Sequence, residues 1–265
     1  MSKQAGGTAM FEQTMTHRKS MAGRTSPTGR GRYRPPTDIG HVALPDLLRS
    51  SGRAQLEEKQ LLLLRNEDQR VGLFFAGDLS LIDRPCVAIV GSRAVSHQGR
   101  LRSGRLAREL TASGFVVMSG LALGVDTAAH TAALAAGGST VAVVGTPLDR
   151  AYPAENASLQ ETIYTHHLLI SPFRAGERTY RSSFPKRNRV MAALSDATVI
   201  VEASDTSGSL HQAAECVRLG RWLFIAKSLA ENRDLEWPKK FLKSPRTAVL
   251  SETSDLVRTV TRERE

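Results

Sequence analysis

Between residues 86 and 226, short apolar runs closed by glycine or serine alternate with stretches of helical periodicity. That alternation leaves few folds open, because strands separated by single helices pair in parallel through right-handed crossovers. The runs Val87–Gly91, Phe115–Met118, Thr140–Val144, Leu168–Ser171, Ala197–Val201 and Trp222–Ala226 are predicted strands. Helices are predicted over 98–113, 125–137, 155–166, 186–195 and 208–219. The expected architecture is α/β: an open, doubly wound, mostly parallel sheet. Ligands of such a sheet lie at the carboxyl ends of its strands.

The flanks divide the rest of the chain. Residues 1–40 are rich in Gly, Ser, Thr, Pro and Arg without sustained apolar periodicity, and are expected to be a disordered basic arm. Its Arg18, Lys19, Arg24, Arg30, Arg32 and Arg34 suit non-specific phosphate contact or a solvated tail. Residues 41–71 are predicted to be a short helical segment with Leu56, Leu61, Leu62 and Leu64 on its apolar face. The core is expected over 72–228, opening with a strand at Gly72–Gly77. A C-terminal extension over 229–265 is expected to add an edge strand at Ala248–Leu250 and a helix at Ser254–Thr261.

Charge narrows the partner class. The chain carries 36 Lys and Arg against 26 Asp and Glu, a formal charge of +10. An acidic polymer is therefore the first partner to consider. Cys86 and Cys216 make neither a disulfide framework nor a metal-ligand cluster, which fits a reducing, cytoplasmic setting. No metal and no cofactor are expected. The run Leu61–Leu64 is too short to span a bilayer, and residues 1–30 lack the apolar core of a signal peptide. Nucleic acid thus stands ahead of lipid, and no membrane partner is expected.

Polar clusters follow the predicted strands, where this architecture puts its site. They are Gly91-Ser92-Arg93, then Ser119-Gly120 with Gly124-Val-Asp126, then Gly145-Thr146, then Ser207-Gly208-Ser209. Backbone N–H groups at such turns, and the helix mouth expected near Gln98, favour phosphate. Arg93 adds a planar cation for two phosphate oxygens. Ser183-Phe-Pro-Lys186-Arg187-Asn188-Arg189 concentrates cations at a helix start, an unfavourable place that implies a compensating anion. Asn188 suits a base edge, a sugar or the backbone. Phe184 is assigned to core packing in preference to base stacking. Asp126 and His130 share a helix face and are candidates to pair. Glu202 is the carboxylate best placed for catalysis or for a ribose hydroxyl, and equally suits a neighbouring N–H or a pair with Arg187 or Arg189. No catalytic constellation stands out.

The order of these motifs resembles the DNA-processing protein A (DprA, also called Smf) family, whose core belongs to the wider SLOG/LOG superfamily. The resemblance rests on Val87–Arg93, Ser119–His130, Val144–Asn156, Phe184–Arg189, Val201-Glu-Ala203 and Ser207–Leu210, and on Phe74–Leu81 leading into the core. It implies an extended Rossmann fold and sequence-independent binding of single-stranded DNA. It also implies a homodimer, a RecA-like recombinase as partner, and a role in natural transformation or recombination without enzymatic activity. Gly91, Ser92, Arg93, Lys186, Arg187 and Arg189 would meet the DNA backbone. The chain departs from the family pattern at Ser171-Pro172, His211–Ala213 and Ala226–Ser228, which leaves room for a regulator of a defence locus. Two alternatives remain: a nucleotide-binding sensor, and a LOG-like nucleoside monophosphate phosphoribohydrolase.

Overall fold

The computed structural model describes residues 33–53 and 72–265, and the leucines expected on a helix at 56–64 lie outside them. Strands β1 (Gly40–Ala43), β2 (Gly72–Gly77), β3 (Cys86–Gly91), β4 (Val116–Ser119), β5 (Thr140–Val143), β6 (Leu168–Ser171), β7 (Ala197–Glu202), β8 (Trp222–Ala226) and β9 (Thr247–Leu250) form one sheet among the described residues. Their order is β1-β2-β6-β5-β4-β3-β7-β8-β9. β1 with β2, and β2 with β6, are antiparallel; every other pairing is parallel.

Helices are α1 (Leu44–Ser50), α2 (His97–Ala112), α3 (Val125–Ala135), α4 (Ala157–His166), α5 (Ser183–Leu194), α6 (Ser209–Arg218), α7 (Lys227–Ala230), α8 (Trp237–Phe241) and α9 (Thr253–Arg264). The pleat of β3 decides the layers. Val87 and Ile89 pack under α2, α3 and α9 with Leu106, Leu110, Val125 and Leu256. Ala88 and Val90 pack on the opposite face with Val190, Met191, Ala213 and Leu48. A strand buried on both faces must be apolar throughout, which is why its sequence shows no alternation.

Three expectations need correction. Residues 40–43 are an edge strand, not the start of a helix; β1 pairs with β2 through Val42 opposite Leu73. The arm expected over 1–40 is anchored at its end. Tyr33 donates to the Leu148 carbonyl at 2.9 Å, and Arg34 pairs with Glu161 at 3.0 Å. Arg34 thus has a carboxylate partner while its side chain stays exposed. α5 also begins earlier than expected, because Pro185 lies in its first turn, where its missing N–H costs no hydrogen bond.

Candidate nucleic-acid interface

The chain leaves β3 to build β4, β5 and β6 on one side, then returns to lay β7 on the other. Crossovers on opposite sides of β3 open a crevice beyond the carboxyl ends of β3 and β7, the topological switch point of the sheet. A cleft of about 770 Å³ lies there, lined by the β3–α2 turn, the first turns of α5 and the β7–α6 loop.

Arg93, Ser92 and Gly91 line one side of it, and Ser207, Gly208 and Ser209 face them. Arg93 is exposed, with its guanidinium 5.5 Å from the centre of the Phe184 ring. Tyr152, 48% exposed, tilts against the Phe184 ring at 5.6 Å between centres. Phe184 is half-buried and forms a cleft wall, so its assignment to the core is corrected. Tyr152 and the exposed Arg181 also line the cleft. Sequence reasoning missed both, since neither follows a strand directly and only the chain path brings them here.

Arg187 lies at the floor. It is 6% exposed, and its Nη1 donates to the carbonyls of Gly120 at 2.5 Å and Val143 at 2.7 Å. Its Nε donates to Asn188 Oδ1 at 3.0 Å, which orients the Asn188 amide. Gly120 makes this possible: a Cβ there would overlap the guanidinium. Burial pulls the Arg187 pKa down, partly offset by the carboxylate of Asp126. Asp126 is buried too, and desolvation raises its pKa. It accepts the N–H groups of Gly120 at 3.1 Å and Ala122 at 3.3 Å. These bonds flank Leu121, a non-glycine residue at φ 59°, whose carbonyl accepts Asn156 Nδ2 at 2.9 Å. The turn after β4 is thus a strained element held by its neighbours.

The other candidates fall away from the cleft floor. Ser119 is fully buried, its hydroxyl donating to the Ile89 carbonyl at 2.6 Å; it braces β3 rather than meeting solvent. Asp126 does not pair with His130, whose Nδ1 lies 2.7 Å from Thr140 Oγ1. Burial lowers the His130 pKa to about 3. The cations of α5 find partners within the protein. Lys186 lies over the Phe173 ring at 5.5 Å, and Arg189 pairs with Glu215 at 3.4 Å. The compensating anion expected at this helix start is therefore supplied in part by the chain itself. Glu202 bonds a neighbouring N–H, that of Ser96 at 2.7 Å, and pairs with neither Arg187 nor Arg189.

Arg93 and Arg187 thus share one cleft, as the motif order requires. Comparison with known proteins agrees. The family described as DNA recombination-mediator protein A matches over residues 58–261. The DNA processing protein DprA of Streptococcus pneumoniae is 44% identical over 157 residues, covering 59% of this chain and 55% of its own. The protein Smf of Synechocystis is 38% identical over 152 residues, covering 57% of this chain and 37% of its own. This chain therefore spans about half the length, or less, of those relatives. The X-ray structure of the S. pneumoniae DprA superposes with a TM-score of 0.66 at 37% identity, covering 73% of this chain and 68% of that one. A structure described as giving the single-stranded DNA binding mode of DNA processing protein A from Helicobacter pylori superposes with a TM-score of 0.66 at 29% identity. It covers 75% of this chain and 90% of that one. With the motifs, the strand order and the cleft in agreement, the chain belongs to the DNA recombination-mediator protein A family.

Proposed function

We propose that the cleft binds single-stranded DNA without reading its sequence. The observation that carries this reading is the exposed Arg93 guanidinium over the half-buried Phe184 ring, with the exposed Tyr152 ring against Phe184. A guanidinium suits a phosphate, and an aromatic face suits any base, since every base has a π-face. Arg181 widens the positive rim, and the Ser207–Ser209 turn supplies small residues opposite it. No Cβ at Gly208 would meet an atom within 4 Å, so a strand can approach that backbone closely. Gly91, Ser92 and Asn188 are assigned to the banks of this path, with Arg187 as its floor. Family membership supports a recombination-mediator role, with a homodimer passing the strand to a RecA-like recombinase in the cytoplasm. Among the described residues no helix is long and apolar enough to cross a membrane.

The hydrolase alternative is disfavoured by the carboxylates. Two of them must flank a glycosidic bond to activate water and protonate the leaving group. Among the described residues lining the cleft, Asp126 is the only acid, and it is engaged with two backbone N–H groups.

Fluorescence anisotropy of labelled oligo-dT at low salt tests the proposal. Saturable binding is expected, weakening steeply with salt as counterions are released. Arg93→Glu should abolish it. An absence of binding to any single strand, or undiminished binding by the variant, overturns the assignment.

A further inference from the structure

The mouth of α2 is where a nucleotide-binding sheet of this topology seats a phosphate. Here it is filled by the chain's own carboxylate. Gly91 of β3 stands opposite Glu202, whereas Val90 stands opposite Ile200, so a bulge at the end of the ladder brings Glu202 to the helix mouth. The Glu202 carbonyl accepts the Ser92 N–H at 2.7 Å. Glu202 Oε1 accepts the Ser96 N–H at 2.7 Å, and Oε2 accepts the Ser96 hydroxyl. Arg102, one turn into the helix, lies 3.6 Å from the same carboxylate. Gly99 lacks the Cβ that would collide with Oε2, so the first turn of α2 is shaped around this one side chain. A second cleft of about 370 Å³, lined by Ser92, Arg102, Glu202, Ser204, Ser228 and Asn232, opens beside it. Space for a ligand is therefore present, with a guanidinium on its edge and an anion already in the seat.

We propose that Glu202 is a specificity-determining residue that excludes the terminal phosphates of free nucleotides from the α2 mouth. A phosphate entering from the second cleft would meet a fixed negative charge and find the Ser96 N–H and hydroxyl already bonded to it, while the Ser92 N–H stays with the Glu202 main-chain carbonyl whatever the side chain. A DNA strand in the larger cleft does not need that seat, because Arg93, Arg181 and the Ser207–Ser209 turn lie on the other side of Ser92. Discrimination between polymer and mononucleotide then follows from one carboxylate. The choice of DNA as the retained ligand rests on the proposed function; the exclusion of phosphate does not.

Isothermal titration of the full chain with ADP and with inorganic pyrophosphate tests this. The arms are wild type, Glu202→Ala, which vacates the seat, and Glu202→Gln, which keeps its shape and removes its charge. Wild type is expected to show no saturable binding at millimolar ligand. Glu202→Ala should gain binding at least tenfold tighter than any wild-type response, with a matching rise in melting temperature, since a ligand that binds the native state stabilises it. If removing the carboxylate unfolds the first turn of α2, Glu202→Gln carries the test through charge alone: it still accepts the Ser96 N–H, so a gain smaller than that of Glu202→Ala is expected. A folded variant that gains no pyrophosphate or ADP binding overturns the proposal, as does wild type binding either ligand as tightly as the variants. Oligo-dT titration in parallel separates the two readings. A wild type that fails to bind oligo-dT sinks the proposed function and leaves the ADP comparison standing.

Discussion

Arg93 and Arg187 line the same cleft, yet the structure gives them opposite roles, and substituting each by Met should separate those roles. Arg187→Met removes three donated hydrogen bonds, to Gly120, Val143 and Asn188, and takes away the cation nearest the buried Asp126 carboxylate. Hydrogen bonds from a charged donor are worth about 1.5–3 kcal/mol each when lost singly, but shared geometry keeps the sum below simple addition. Leaving the Gly120 and Val143 carbonyls without this donor adds the desolvation cost of buried acceptors, about 1–3 kcal/mol each, so about 3–5 kcal/mol is the expected loss for the variant. In a domain of this size it corresponds to a fall in Tm of roughly 10 °C. Arg93→Met removes an exposed guanidinium with a ring contact and should cost less than about 1 kcal/mol of stability. Its oligo-dT affinity should fall about 10- to 100-fold, as expected for loss of a charged hydrogen bond to phosphate. The slope of log affinity against log salt should also shrink by about 0.7. Urea unfolding read as a midpoint shift at constant m, with anisotropy on both proteins well below their Tm, checks both halves. Arg187→Met with stability within about 0.5 kcal/mol of wild type, or Arg93→Met as destabilising as Arg187→Met, would refute the division.

Two further outcomes follow from the same geometry. His130 binds its proton less readily when folded, because burial lowers its pKa to about 3 from 6.5. Over that interval the unfolded chain holds more protons, so stability falls as pH drops below 6.5; urea unfolding should show about 2 kcal/mol lost from this group between pH 7 and pH 5, a loss absent in His130→Gln. Tyr152→Ala removes an exposed ring from the cleft wall, and anisotropy should show oligo-dT affinity reduced by about 1–3 kcal/mol, with the salt slope unchanged because no charge is lost.

The parallel core was legible because its strands are buried on both faces. Val87–Val90 and Val199–Val201 have no solvent side on which to place polar residues, so burial writes itself into composition. The turns after β3 and β7 were legible for a related reason, since glycine and serine at strand ends mark backbone that must turn tightly or be approached closely. β1 was not legible. At Gly40–Ala43 it is an edge strand whose pairing with β2 is antiparallel, and its four residues are too few to show a period.

What the sequence determined on its own was the architecture, the family and the neighbourhood of the cleft, because hydrophobic burial and turn chemistry act on residues close together in the chain. Which polar side chains face the cleft was decided only by tertiary structure. Lys186, Arg187 and Arg189 are near-neighbours in sequence, yet one lies over Phe173, one is sealed beneath Gly120, and one pairs with Glu215. Arg93, exposed in the cleft, meets the Phe184 ring, itself in contact with Tyr152, only through the packing of distant segments. A charged group's role depends on its desolvation and its nearest opposite charge, and both are properties of neighbours that the chain brings together only on folding.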